Sequence, residues 1–171
     1  MNAKYVEFRE KMTRELIGFI KTQASVLSVT DIRRLIRDLP ALGERFGTIP
    51  LQTYPYLLEH LEFLFLVVKE QVTGGSGYPA RLIVSEAAFA LLYFERTSDL
   101  IPDSIPGMGL LDDAMIAGLV LRRHETAFKN SSHAHKLRWP LPAFDVDQLL
   151  SVVSPLRLNS YYASVKTRHT R

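Results

Sequence analysis

Apolar residues return every three or four positions along most of this chain, and no period-2 alternation is long enough for a strand. The first spacing is that of a helix with one face against a core, and the second would be needed for a half-buried strand. Val6, Met12, Leu16, Phe19 and Ile20, interleaved with Arg9, Glu10 and Arg14, predict an amphipathic helix from 4 to about 22. Ser28-Val29-Thr30-Asp31 has the form of a helix start, and Ile32, Leu35, Ile36 and Leu39 add a short apolar stripe up to Pro40. Residues 43–50 read as loop. Thr53 suits the N-cap of the next helix, with Pro55 in its first turn and an end near 72. Gly74-Gly75-Ser76-Gly77 then breaks the pattern as a connector. It lacks the following Lys-Ser/Thr and the preceding strand of a phosphate loop. Pro79 opens a third long helix to about 96, and a fourth runs from 110 to about 128. Between them, Pro102, Pro106, Gly107 and Gly109 exclude continuous helix. Residues 130–142 are polar and carry Pro140 and Pro142, which predicts a loop; Asp145 caps a short helix to 153, and the basic end frays.

These elements predict an all-α, single-domain helical bundle of five or six helices, with a Pro-rich corner between two central helices. Three segments follow: an N-terminal helical region over 1–78, a helix–corner–helix core over 79–128, and a basic C-terminal extension with one short helix over 129–171. The length of 171 residues fits one domain, and 47% apolar with 23% charged residues is ordinary globular usage, not that of a disordered chain. The absence of cysteine excludes a disulfide framework, a zinc–thiolate site, an iron–sulfur cluster and a cysteine nucleophile, and fits a reducing compartment. The N-terminus alternates charge with apolar residues and has no signal-peptide core. The most apolar stretches, 57–68, 82–94 and 110–121, are too short to span a bilayer and contain Glu59, His60, Glu62, Glu86, Asp112 and Asp113. They read as buried helices, although docking on a bilayer surface stays open.

The corner carries the most information. Pro102 and Pro106 stiffen it, and Leu100, Ile101 and Ile105 are apolar residues that must pack down like a plug. Asp112 and Asp113 fall in the first turn of the following helix, where carboxylates favour the dipole and can accept free backbone N–H groups. In register over about twenty residues stand Tyr93, Asp99-Leu100-Ile101-Pro102-Asp103, Ile105-Pro106, Gly109 and Asp112-Asp113. This arrangement resembles the YkvA-like family, domain of unknown function 1232, over about 79–121. Thr97 departs from it, standing where the family usually has proline. The resemblance implies a small helical domain of bacterial type, in a family with some members described as membrane-associated and no established activity.

Six acids and one base between Glu86 and Asp113 give this region a charge of −5. Glu86 shares a helix face with Leu82, Ile83, Phe89, Ala90 and Tyr93, which makes it a candidate buried acid in need of a partner: backbone N–H groups, Arg81 or Arg96, or a cation. Two readings of the corner follow. In one, Asp99 and Asp103 cap the turn while Asp112 and Asp113 satisfy the helix start. In the other, Asp99, Asp103, Asp112 and Asp113 form an oxygen site for Mg²⁺, Mn²⁺ or Ca²⁺ that could support hydrolysis or phosphoryl chemistry. The proline and glycine pattern favours capping, so no cofactor and no catalytic residue is expected, with Mg²⁺ or Mn²⁺ as the alternative. His60, near Phe63, Leu64 and Val67, reads as a core or groove histidine. His133 and His135 form a loop pair without a third ligand, and Ser76, Ser85 and Ser104 lack a nucleophile-elbow context.

The net charge of +3 hides a division. Residues 1–113 carry twelve basic against fifteen acidic residues, and 114–171 nine against three. Arg122, Arg123, Lys136, Arg138, Lys166, Arg168 and Arg171, with Tyr161 and Tyr162 nearby, are candidates for binding a polyanion or an anionic membrane, beside the plainer reading of a solvated face and tail. The expected function is a non-enzymatic binding or scaffolding module, cytoplasmic and peripheral to the inner membrane at most. An unknown protein partner is expected first, an anionic membrane surface next, and nucleic acid last. A metal-dependent hydrolase built on the corner aspartates is the alternative from a different class.

Overall fold

The structure is a computed structural model that describes residues 3–73, 81–96, 109–135 and 138–140. Seven α-helices and no strand occur among the described residues: α1 (Ala3–Ser25), α2 (Val29–Arg37), α3 (Leu39–Phe46), α4 (Leu57–Val72), α5 (Arg81–Glu95), α6 (Leu111–Arg123) and α7 (Glu125–His135). The fold is all-α, as the spacing predicts. No described helix is long and apolar enough to cross a membrane.

The centre is the α5–α6 pair. Every residue from Val84 to Phe94 is buried, and so is every residue from Leu111 to Leu121. A helix buried on all sides must be wrapped by others. α1 packs on α5, α4 packs on both α5 and α6, and α2 lies across α4 and α5. Small residues let the central pair approach: Ala87, Ala88 and Ala90 on one helix, Ala114, Ala117 and Gly118 on the other. Large rings fill the outer layers. Phe19 of α1 meets Phe89 and Tyr93 edge-on at centroid distances of 5.6 and 6.1 Å. On another side Phe63 of α4 meets Phe128 of α7 at 5.8 Å and Trp139 at 5.3 Å.

Several boundaries differ from the sequence expectation, each for a local reason. α1 runs on to Ser25 because Ala24 is buried and the hydroxyls of Thr22 and Ser25 bond back to the carbonyls of Gly18 and Thr22. α2 starts as expected, with a reciprocal capping box between Ser28 and Asp31. The Ser28 hydroxyl, then its backbone N–H, hold the Asp31 carboxyl below its ordinary value. The first half of the expected loop 43–50 belongs to the helix α3 instead. Leu42 is fully buried, and Phe46 and Arg45 both lie against Phe94, so packing outweighs the poor helix propensity of Gly43. Thr53 does not cap α4; the helix begins at Leu57 after Tyr56, with no side-chain cap. Pro55 disfavours a helical conformation for the residue before it, which delays the start.

The expected fourth long helix is split. His124 leaves helical geometry at φ −115° and ψ 21°, and the chain restarts as α7. The expected loop from 130 is helical as far as His135. Phe128 is buried there, a Glu125–Lys129 pair of 2.5 Å spans one turn, and the Ser132 hydroxyl bonds the Lys129 carbonyl. The expected helix at 145–153 lies outside the described residues.

Candidate functional site

Two polar clusters are enclosed within the α5–α6 pair, one near each end. α5 places Glu86 and Tyr93 seven residues apart, two turns along one face and about 10 Å along the axis. α6 places Asp112 in its first turn and Arg123 in its last. Because the helices run antiparallel, Tyr93 meets the start of α6 and Glu86 meets its end.

At the first cluster the Tyr93 hydroxyl donates to Asp112 Oδ2 at 2.6 Å. Tyr93 is 5% exposed, Asp112 2% and Asp113 3%, so this acid pair lies inside the bundle. The two carboxylates stand in the first turn of α6, where the helix dipole favours them. Leu110 is the N-cap and supplies no side-chain bond. Tyr54, which precedes α4, completes the cluster. It is buried, and its hydroxyl makes a hydrogen bond with the backbone of Leu110. Burial first, and then the charges of Asp112 and Asp113, push its phenol from 10.0 up to about 12. The sequence reading missed Tyr54: it lies 58 positions before Asp112 in a turn, outside any helical periodicity.

At the second cluster Glu86 is fully buried, as its helix face predicts. Its partners are not Arg81 or Arg96. Arg123 donates from Nη1 to Glu86 Oε2 at 2.6 Å, and His124 Nε2 lies 2.9 Å from the same oxygen. The break between α6 and α7 is what brings His124 to this point, where its ring also stands edge-on to Phe128 at 6.0 Å. Glu86 Oε1 is enclosed with no hydrogen-bond partner among the described residues. Arg123 therefore faces inward to a carboxylate, whereas Arg122 and Arg138 are exposed.

The remaining candidates fall as follows. Asp99, Pro102, Asp103, Pro106, Lys136, Lys166, Arg168 and Arg171 lie outside the described residues, as do Tyr161 and Tyr162. Gly109 is buried at the approach to α6. His60 is buried on α4 beside a small, partly open recess of about 10 Å³, shared with Gly118, Leu121 and Trp139, about the size of one water. His133 and His135 lie in the last turn of α7. Ser85 is buried within α5. Among the described residues no three His, Asp or Glu side chains converge as a metal-binding group.

A family model described as a protein of unknown function, DUF1232, matches residues 84–119. The match spans about a fifth of the chain and contains Tyr93, Gly109, Asp112 and Asp113 together with the corner, so the resemblance carried by those residues holds for the central region. Tyr54, Arg123 and His124 lie outside it. Neither the curated proteins nor the solved structures yield a match to this chain.

Proposed function

We propose that this chain is a non-enzymatic helical binding module whose central carboxylates maintain the fold. One observation supports the reading most: the motif acid Asp112 is spent on a 2.6 Å bond from Tyr93, with both side chains buried. A catalytic carboxylate must reach its substrate, whereas a carboxylate that rivets two helices must be shielded and hydrogen-bonded. Glu86 repeats the pattern, held by Arg123 and His124 rather than turned to solvent. Binding then falls to the outer helical faces.

The test is equilibrium unfolding of Tyr93→Phe and Asp112→Ala with metal analysis of the native protein. Each variant is expected to lose about 1–3 kcal/mol, the cost of leaving a buried polar group without its partner. Mg²⁺ and Mn²⁺ are expected to leave the melting temperature unchanged. Variants of native stability, together with a rise in melting temperature on adding Mg²⁺ or Mn²⁺, would instead favour the hydrolase reading.

A further inference from the structure

A groove of about 320 Å³ lies where α2, the end of α4 and the start of α5 meet, away from both polar clusters. Its size is within the range of small-molecule sites, roughly 300–1,000 Å³. Ile32, Val72 and Val84 give it an apolar floor, and Val29 stands at its rim with 46% of its surface exposed. Among the described residues its charged lining is Arg33 and Arg81, both exposed, and its other polar side chain is the neutral amide of Gln71. Among the described residues no carboxylate lines it and neither arginine is in an ion pair. Two guanidinium groups above an apolar trough, with no acid among the described residues lining it, are complementary to a molecule that joins an apolar chain to an anionic head. Guanidinium forks bind such heads through paired, charge-assisted hydrogen bonds.

We infer that this groove binds a single-chain amphiphile with an anionic head, of the long-chain carboxylate class. The chain lies along Ile32, Val72 and Val84, and the head is held by Arg33 and Arg81. The inference rests on the reading of this protein as a binding module and supplies a ligand class for it. Binding removes water from the apolar floor and satisfies two cations that otherwise face solvent.

Calorimetric titration of the full chain with dodecanoate, kept below micelle formation, tests this directly. Dodecanol serves as the neutral control, and vesicles of neutral phospholipid with and without anionic phospholipid form a separate arm. The expected result is saturable binding of one dodecanoate per chain. Binding should weaken about tenfold or more in Arg33→Glu/Arg81→Glu, which alters only exposed positions, and in the dodecanol control. Circular dichroism checks that the variant keeps its helices. Absence of saturable binding, or equal affinity in the double variant or for dodecanol, overturns the inference. Association with anionic vesicles but not with dissolved dodecanoate also overturns it, in favour of membrane docking. None of these outcomes involves Tyr93 or Asp112, so they are separable from failure of the binding-module reading.

Discussion

Glu86 ties the centre of α5 to the end of α6. A fully buried carboxylate is tolerated only while its partners remain, and here Arg123 and His124 converge on one of its oxygens. Arg123→Met is expected to destabilise the protein by about 3 kcal/mol in urea unfolding, because it leaves the charge half-answered. Glu86→Leu combined with Arg123→Met is expected to recover most of that loss, since an apolar pair of similar volume avoids the desolvation cost. A double variant no more stable than Arg123→Met alone would contradict this account. Tyr54 gives a prediction in pH. Its phenol is raised in the folded state from 10.0 to about 12, so the folded form holds its proton more firmly than the unfolded chain. That contribution is complete below pH 10 and is lost as pH rises towards 12. Tyr54→Phe should flatten the decline of stability across this alkaline window, as read by unfolding at successive pH values. At this scale the sequence was partly legible. Periodicity marked Glu86 as buried, and the family resemblance joined Tyr93, Asp112 and Asp113 in one motif. It could not supply Arg123 as a partner, because that contact crosses 37 positions and depends on how two helices align.

Helix propensity and packing disagree at two glycines. Gly18 lies inside α1 and Gly43 inside α3, and a Cβ added at either position meets no atom within 4 Å. Gly18→Ala and Gly43→Ala should therefore each raise stability by about 0.5–1 kcal/mol through reduced freedom of the unfolded chain, measurable by denaturant unfolding. Either substitution proving destabilising would mean that the glycine has a role beyond the helix. The same conflict explains which elements were hard to foresee. α5 and α6 carry long apolar runs bounded by proline and glycine, and their existence could be read directly. α3 could not, because Pro40 can equally close α2 or open a new helix, and Gly43 argues against a helix that Leu42, Phe46 and Arg45 hold in place by contacts with distant residues. The break at His124 was equally hidden. No proline or glycine marks it, and it coincides with a tertiary contact between His124 and Glu86.

Over the whole molecule, the charge division looks different once Arg123 is placed. One of the basic residues of the C-terminal third answers an acid of the central motif, so part of the apparent polyanion patch is internal pairing. The bundle is also concentric: one helix pair lies inside, and α1, α2, α4 and α7 lie around it. This has a consequence for how the region 84–119 can exist. Excised as a peptide, it would expose an eleven-residue and a nine-residue stretch that are buried in the protein, and it would keep Glu86 while discarding Arg123 and His124. Such a fragment is expected to show little helix by circular dichroism and to aggregate. A soluble, cooperatively melting fragment would disprove this. The matched segment is thus a core insert that borrows its solubility and its counter-charges from its surroundings. Any chain that carries a similar segment with an acid at this position has to furnish an outer shell and a partner for that acid from sequence that need not look alike.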